Sequence, residues 1–172
     1  MLSSSNCIII NGVAIIGSNG WWTWDFDNQI DDDQSRFWWK DKMNTNLTTT
    51  DIIHDIAIND VAYLTNCVDR LQKHPDVKHI VIVTHTVPLK ELIIHDLNLV
   101  DNYEFNKMGN SLMPLVLDAD TENKISTWCF GHYHNSVDYN VNGIRYVNNC
   151  KGRTGDLEWQ RPYYPKRITI EY

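Results

Sequence analysis

Three histidines of this chain directly follow apolar runs, and their residue type and spacing suit metal chemistry. His85 comes just after the run His79–Val83, and His132 and His134 stand in a Gly-His-Tyr-His segment after the run Ile125–Phe130. Neutral imidazole is a common ligand of Zn, Fe, Mn and Ni ions. Open α/β sheets bind ligands beyond the carboxyl ends of their strands. If the two runs are neighbouring parallel strands, the three rings converge on one cation.

The second group of histidines carries further local information. His134 lies two residues beyond His132, which in extended chain places both side chains on the same side. Gly131 precedes them, and a glycine lets the backbone turn sharply enough to aim both rings. The competing interpretation is three unrelated surface histidines in loops. The spacing alone leaves both interpretations open.

The elements expected around these histidines indicate an α/β fold. Two Asn-Gly pairs, Asn11-Gly12 and Asn142-Gly143, each predict a tight hairpin between two apolar runs. Runs without alternation predict strands that are covered on both faces. The expected strands are Cys7–Ile10, Val13–Gly17, His79–Val83, Ile125–Phe130, Ser136–Val141, Ile144–Val147 and an alternating edge strand, Arg167–Tyr172.

The remaining segments are expected to be helical or irregular. A long helix follows the N-cap candidates Thr48–Asp51, buries one apolar stripe and ends near Lys73 before Pro75. A short helix is expected over Pro88–Leu99 and a loop over Asp101–Asn110, whereas Ser111–Leu117 suits either helix or strand. The aromatic and acidic segment Ser18–Lys42 predicts an irregular loop packed by its own rings.

Length and charge limit the classes of function. The chain has 172 residues and a net charge of −7, which fits a single soluble domain without a broad nucleic-acid-binding face. No apolar stretch is long enough to cross a membrane, and the first residues do not have the pattern of a signal peptide. The four cysteines form no C-x-x-C pair, which is typical of buried thiols in a reducing compartment. We therefore expect a cytoplasmic protein.

Three sequence segments together resemble the calcineurin-like metallophosphoesterases. Gly-His-Tyr-His, followed by a hairpin and the asparagines of Val147-Asn148-Asn149, is similar to that family's last signature, G-H-x-H. The segment Thr84–Pro88 is similar to the preceding T-H-x-x-P signature, and Gly17–Trp21 is similar to an earlier G-[ST]-x-x-W turn. The order and spacing of the three segments fit across nearly the whole chain.

The resemblance implies a fold, a site and a reaction. It implies the C-terminal half of a four-layer α/β/β/α sandwich, within one calcineurin-like phosphoesterase domain over residues 1–172. It implies that His85 and His132 bind one divalent ion, Mn, Fe or Zn, and that His134 binds a second. Both ions would hold the phosphate of an ester substrate while a metal-bound hydroxide attacks phosphorus.

The family's carboxylate signatures are missing from this sequence. They are D-x-H, G-D-x-x-D and G-N-H-[DE], and they normally precede the tryptophan turn. Gly155-Asp156 and Gly109-Asn110 are incomplete copies that are better explained as loop turns, and D-x-H does not occur. We therefore expect one ion or none in this chain alone, weak or no turnover, and a need for the N-terminal half, which a separate partner chain could carry.

A second hypothesis is a non-catalytic relative that binds a partner or a single metal ion. For several other residues, a structural role competes with a functional one. Trp21, Trp22 and Trp24 either line a substrate mouth or pack against the edge of the core. Arg145 and Arg153 flank the asparagine loop and could meet an anion. The acids Asp25, Asp27 and Asp31–Asp33 either serve as surrogate carboxylate ligands or form a charged, solvated loop, and the solvated loop is preferred. Four further histidines are expected to be structural or solvated: His54, His74, His79 and His95.

Overall fold

A computed structural model describes residues 7–26, 50–93, 105–155 and 162–170 of the chain. In this part of the chain, six strands form one sheet in the order β1-β2-β3-β4-β6-β5. The strands are β1 Ile8–Ile10, β2 Val13–Gly17, β3 His79–Val83, β4 Ile125–Phe130, β5 Ser136–Val141 and β6 Ile144–Asn149. The helices are α1 Thr50–Gln72 and α2 Pro114–Asp118, with a 3₁₀ turn at Lys90–Leu92.

The centre of the sheet is parallel and its two outer strands are antiparallel. β2, β3, β4 and β6 run in one direction, while β1 and β5 each return as one arm of a hairpin. The hairpin turns are left-handed at Asn11-Gly12 and Asn142-Gly143, as their sequences predict. The carboxyl ends of the four parallel strands therefore meet at one edge of the sheet. This arrangement is α/β.

One face of the sheet packs with α1 to form the core. From the sheet, Ile16, Ile82, Trp128 and Tyr146 are almost completely buried. From α1, the buried positions recur at helical spacing: Ala57, Val61, Leu64, Val68 and Leu71. Burial of such side chains is worth about 1.5–3 kcal/mol each. This packing holds the carboxyl edge of the parallel strands in place.

The hairpin arm β1 differs from the expectation of strands covered on both faces. Ile8, Ile9 and Ile10 are 47%, 42% and 55% exposed, whereas β2 is largely buried. Within the described residues, β1 pairs only with β2 and forms the end of the sheet. An apolar run without alternation therefore did not distinguish a buried strand from an uncovered edge.

The expected edge strand Arg167–Tyr172 is also wrong over Arg167–Ile170, which form no strand. This segment is held by other contacts: the Asn149 side chain donates to the Tyr164 carbonyl at 3.0 Å, and Lys166 pairs with Asp138 at 2.6 Å. Pro162 and Pro165 precede the run and lack the N–H groups that a β-ladder needs. Residues 171–172 lie outside the described part.

The segments between β3 and β4 are only partly as expected. The 3₁₀ turn Lys90–Leu92 replaces the start of the predicted helix over Pro88–Leu99, and residues 94–104 lie outside the described part. Phe105 and Asn106 are helical where a loop was expected. The segment Ser111–Leu117 contains a helix, α2, with Pro114 in its first turn, where the missing N–H costs nothing. Among the described helices, none combines the length and apolarity that a membrane crossing requires.

Candidate functional site

Backbone hydrogen bonds join the ends of β2, β3 and β4 at the carboxyl edge. The His85 N–H donates to the Asn19 carbonyl at 3.0 Å, and the Gly131 N–H donates to the His85 carbonyl at 3.0 Å. The N–H of the preceding residue, Thr84, donates to the Cys129 carbonyl at 2.9 Å. His85 is therefore fixed between the loop after β2 and the turn after β4.

This arrangement brings His85 and His132 into direct contact. His85 Nε2 and His132 Nδ1 are 3.1 Å apart, and the ring centroids are 5.0 Å apart. His132 Nε2 lies 3.0 Å from the Lys107 carbonyl oxygen. A carbonyl can only accept, so His132 Nε2 carries the proton and donates it. His132 Nδ1 is then the acceptor, and the His85 Nε2–H donates to it.

Both rings favour the neutral form. Burial lowers the pKa of His132 to about 4, and the neighbouring His85 adds to this effect. Burial also lowers the pKa of His85, with smaller contributions from the charges of His134 and Arg153. Desolvation penalises the charged imidazolium because water no longer stabilises it. Near pH 7, the pair therefore presents neutral imidazoles, the form that binds metal ions.

The sharp turn that aims His132 lies at His132 itself and not at Gly131. His132 has a φ of +62°, whereas Gly131 is not among the glycines with a positive φ. The left-handed region is uncommon for residues other than glycine and often marks a functional site. A Cβ at Gly131 would lie 3.4 Å from the His85 carbonyl oxygen, which is an ordinary contact, so the space at this position does not require a glycine.

The tryptophan cluster packs against the core edge and also reaches this site. Trp22 and Trp24 are 5% and 4% exposed and pack with Ile53 of α1. The Trp22 ring stacks on the His132 ring at a centroid distance of 5.2 Å and an angle of 20°. Trp22 therefore covers one face of the imidazole and removes it from water.

Two polar side chains hold the tryptophan loop in position. Asp60 of α1 accepts from the Trp21 N–H at 3.0 Å, and the Asn110 amide donates to the Trp21 carbonyl at 2.8 Å. Asn110 is completely buried and also donates to the Ala57 carbonyl at 3.3 Å. The sequence Gly109-Asn110, read as a loop turn, is thus a buried hydrogen-bonding centre behind the site.

The other histidines lie in different surroundings. His134 follows His132 by two residues in the turn after β4 and is partly buried. His54 is exposed on α1, and His74 is exposed in the turn after it. His79 begins β3, at the amino end of the strand. The sequence-level candidates His95, Asp27 and Asp31–Asp33 lie outside the described residues.

Sequence reasoning missed two contributors to this site, the Lys107 carbonyl and the Asn110 side chain. The Lys107 carbonyl gives no sequence signal, because every residue has a carbonyl. Asn110 is a polar residue that follows a glycine. This pattern is equally typical of an exposed turn and of a buried, hydrogen-bonded asparagine, so the sequence did not distinguish the two. Asp25, one of the acids considered as a surrogate ligand, accepts instead from the Ser111 hydroxyl at 2.7 Å.

The histidine pair has the spacing of two ligands on one ion. Two nitrogens at about 2.1 Å from a tetrahedral or octahedral ion are roughly 3.0–3.4 Å apart, and His85 Nε2 and His132 Nδ1 are 3.1 Å apart. The Lys107 carbonyl holds the second nitrogen of His132, as is usual around a ligating histidine. Within the described residues, no three His, Cys, Asp or Glu side chains group together as a metal site. With the proton of His85 on Nδ1, the pair fits part of a one-ion donor set.

Comparisons with known proteins support the fold of this chain but carry no information about its site. No family model matches the sequence, and comparison with curated proteins finds no match. Among solved structures, the chain is similar to the phosphopantetheinyl hydrolase of Mycobacterium tuberculosis, with a TM-score of 0.59 at 16% sequence identity. The match covers 92% of this chain and 57% of that protein. The chain thus shares the fold of a hydrolase and spans little more than half of its length.

Proposed function

We propose that this chain is the histidine-bearing half of a metal-dependent phosphoesterase of the calcineurin-like type. The observation that carries the proposal is the pair of facing nitrogens on His85 and His132, 3.1 Å apart at the carboxyl edge of a parallel sheet. The similar fold of a phosphopantetheinyl hydrolase supports it. The Gly-His-Tyr-His and Thr-His-Thr-Val-Pro segments supply these two rings.

In this proposal, His85 Nε2 and His132 Nδ1 hold one divalent ion, Mn, Fe or Zn, and His134 lies beside them. When bound, such an ion neutralises phosphate charge and makes its coordinated water more acidic. The chain's own groups prepare the two ligands. The Lys107 carbonyl fixes the His132 tautomer, and Trp22 shields the ring from water.

The donor set of the proposed enzyme is completed by carboxylates from elsewhere. Two imidazoles without carboxylates are a weak cage for a hard divalent ion, and two-metal catalysis needs ions about 3.5–4 Å apart. The match with 57% of the hydrolase leaves a large part of that protein without a counterpart here. We propose that an N-terminal half, in the same or a separate chain, brings the missing ligands and the second layer of the sandwich.

The test is metal affinity measured by titration calorimetry with Zn²⁺. His85→Asn and His132→Asn should each weaken binding by at least about tenfold, because each removes one of two facing nitrogens. Asparagine is chosen since it tolerates the left-handed backbone of His132. His54→Asn, at an exposed position of α1, is the matched control and should bind like the wild type.

Zn²⁺ affinity that is equal in all four proteins would contradict the proposal. Hydrolysis of an aryl phosphate with Mn²⁺ should be weak for this chain alone and should increase when the N-terminal half is supplied. Fast turnover by the chain alone, lost in His132→Asn, would keep the phosphoesterase and remove the need for that second half.

A second candidate function, a partner-binding module without turnover, is favoured by a different observation. β1 presents an unpaired backbone edge with Ile8, Ile9 and Ile10 all exposed in the described structure. Such an edge can accept a further strand from another chain. This function requires no metal, so the same Zn²⁺ titration separates the two candidates.

A further inference from the structure

The loop after β2 is bound to the loop after β3 at the edge where the histidine pair lies. The Ser18 N–H donates to the Val83 carbonyl at 3.1 Å and so continues the parallel ladder of β2 and β3. The next carbonyl, that of Asn19, accepts from the His85 N–H at 3.0 Å. Ser18 is therefore a direct neighbour of the strand end that carries His85.

The two threonines that flank His85 use their hydroxyl groups to hold this edge together. The Thr84 hydroxyl donates to the Thr86 carbonyl at 2.9 Å and accepts from Trp128 Nε1 at 3.0 Å. The Thr86 hydroxyl donates to the Gly20 carbonyl in the loop after β2. Both groups therefore have a structural role.

The hydroxyl group of Ser18 differs from those of the threonines. Its oxygen is buried and has no hydrogen-bond partner within the described residues. A buried hydroxyl without a partner destabilises a fold, because it has lost its hydrogen bonds to water. Ser18 as a whole is only partly buried, and rotation about its Cα–Cβ bond changes what the hydroxyl faces without moving the backbone. A ligand at this edge would explain a hydroxyl that stabilises no part of the described structure.

We infer that the Ser18 hydroxyl donates a hydrogen bond to a phosphate oxygen of the substrate beside the His85–His132 pair. The inference rests on the proposed phosphoesterase function and adds a substrate-positioning residue to it. A hydrogen bond to a charged acceptor is stronger than one between neutral groups. The phosphate thus supplies the acceptor that the fold does not, and the short serine side chain fixes where one of its oxygens lies.

The experiment measures binding of inorganic phosphate to the full chain by titration calorimetry, with Zn²⁺ and with a chelator. Ser18→Ala should lower phosphate affinity by about tenfold, because a hydrogen bond to a charged group is lost. Ser18→Thr keeps the hydroxyl and should restore most of the affinity. The matched control is Ser126→Ala, since the Ser126 hydroxyl is also buried without a partner in the described structure but lies near the amino end of β4. It should bind phosphate like the wild type.

Urea unfolding of the same variants tests for a structural role of the hydroxyl. Ser18→Ala and Ser126→Ala each remove a buried polar group that has no partner, so the midpoint of unfolding should stay the same or move to higher urea. The backbone contacts of Ser18 are retained in alanine. A clearly lower midpoint for Ser18→Ala would show that the hydroxyl stabilises the fold through a contact of its own, which would overturn the inference.

The Zn²⁺ titration of these variants separates the inference from the proposed function. Zn²⁺ affinity should be the same in Ser18→Ala and in the wild type. If phosphate binding depends on Ser18 and Zn²⁺ does not bind, the anion contact stands and the metal function fails. If the wild type binds no phosphate, or Ser18→Ala binds it equally well, the inference is overturned whether or not Zn²⁺ binds.

Discussion

At the scale of single residues, His132 satisfies several structural demands at once. Its backbone is left-handed, one ring nitrogen faces His85, the other donates to Lys107, and one ring face lies on Trp22. Each demand restricts the choice of side chain at this position. Strained backbone is kept where the surroundings fix it, often at functional sites. The combination supports a role for His132 beyond packing.

This burial makes the stability of the fold depend on pH. The pKa of His132 is about 4 in the folded chain, against an ordinary value of 6.5. Between these values the unfolded chain holds a proton that the folded chain lacks, so stability is lost as pH falls from about 6.5 towards 4. We expect this group to contribute a loss on the order of 2 kcal/mol at pH 5 relative to pH 7. Denaturant unfolding with a chelator present measures it.

The matched variant for this pH effect is His132→Asn, which retains the left-handed turn and removes the titrating ring. Its free energy of unfolding should change less between pH 7 and pH 5 than that of the wild type. Asn59→Ala, at an exposed position of α1, should show the wild-type dependence. An unchanged pH dependence in His132→Asn would show that the ring is not buried in the neutral form.

The sequence was informative about which histidines meet and less so about how they are held. His85 and His132 were expected to meet if their two runs formed neighbouring parallel strands, and β3 and β4 do pair in parallel. The turn was assigned to Gly131, but Gly131 packs against the His85 carbonyl, and the left-handed residue is its neighbour. The choice between adjacent residues depends on tertiary contacts. A backbone partner such as the Lys107 carbonyl has no sequence signature at all.

At the scale of elements, strong local patterns located the strands and the long helix well. Asn-Gly turns fixed both hairpins, and the apolar stripe fixed α1. The predictions were wrong where the structure of a segment depends on which other elements pack or pair with it. β1 has the composition of a buried strand but lies at the end of the sheet. The alternating run Arg167–Ile170 has a strand pattern but no ladder partner, and it is tied down by side chains instead.

The loop element that carries Lys107 depends on a close contact at Gly109. Gly109 forms a bridge with Val87, and a Cβ there would lie 2.4 Å from both Phe26 Cζ and the Val87 carbonyl oxygen. Gly109→Ala should lower the free energy of unfolding by about 2 kcal/mol, because backbone must move to relieve the overlap. Thermal and denaturant unfolding measure it.

The control for this contact is Gly131→Ala, whose Cβ would meet the His85 carbonyl oxygen at an ordinary 3.4 Å. It should cost clearly less than Gly109→Ala. Because Gly109 lies two residues from Lys107, Gly109→Ala should also weaken Zn²⁺ binding through the displaced carbonyl. Equal stability losses in the two alanine variants would contradict the proposed close packing at Gly109.

At the scale of the whole molecule, the β1 end of the sheet is a candidate surface for association with another chain. The three exposed isoleucines of β1 are followed by no further strand in the described structure. Ile8→Thr combined with Ile10→Lys should reduce concentration-dependent association, since charge on an edge strand blocks further pairing. Sedimentation velocity over a range of protein concentrations measures it.

Leu115→Lys on α2 is the control for association through β1. Leu115 is 51% exposed and apolar, but it lies on a helix and offers no strand edge. It should associate like the wild type. If the β1 variant and the Leu115 variant behave alike, the exposed isoleucines are ordinary surface residues, and the partner-binding function loses its supporting observation.

The parallel order of the central strands also governs when the proposed cation site forms during folding. Gly17 pairs with Val83, and Val83 with Cys129, so each pairing joins segments that are far apart in the chain. Such contacts are slow to form, because the chain loses the entropy of a long loop before the contacts stabilise it. His85 and His132 meet only after the second closure. During refolding, cation capture should therefore report completion of the parallel sheet, later than the local formation of α1.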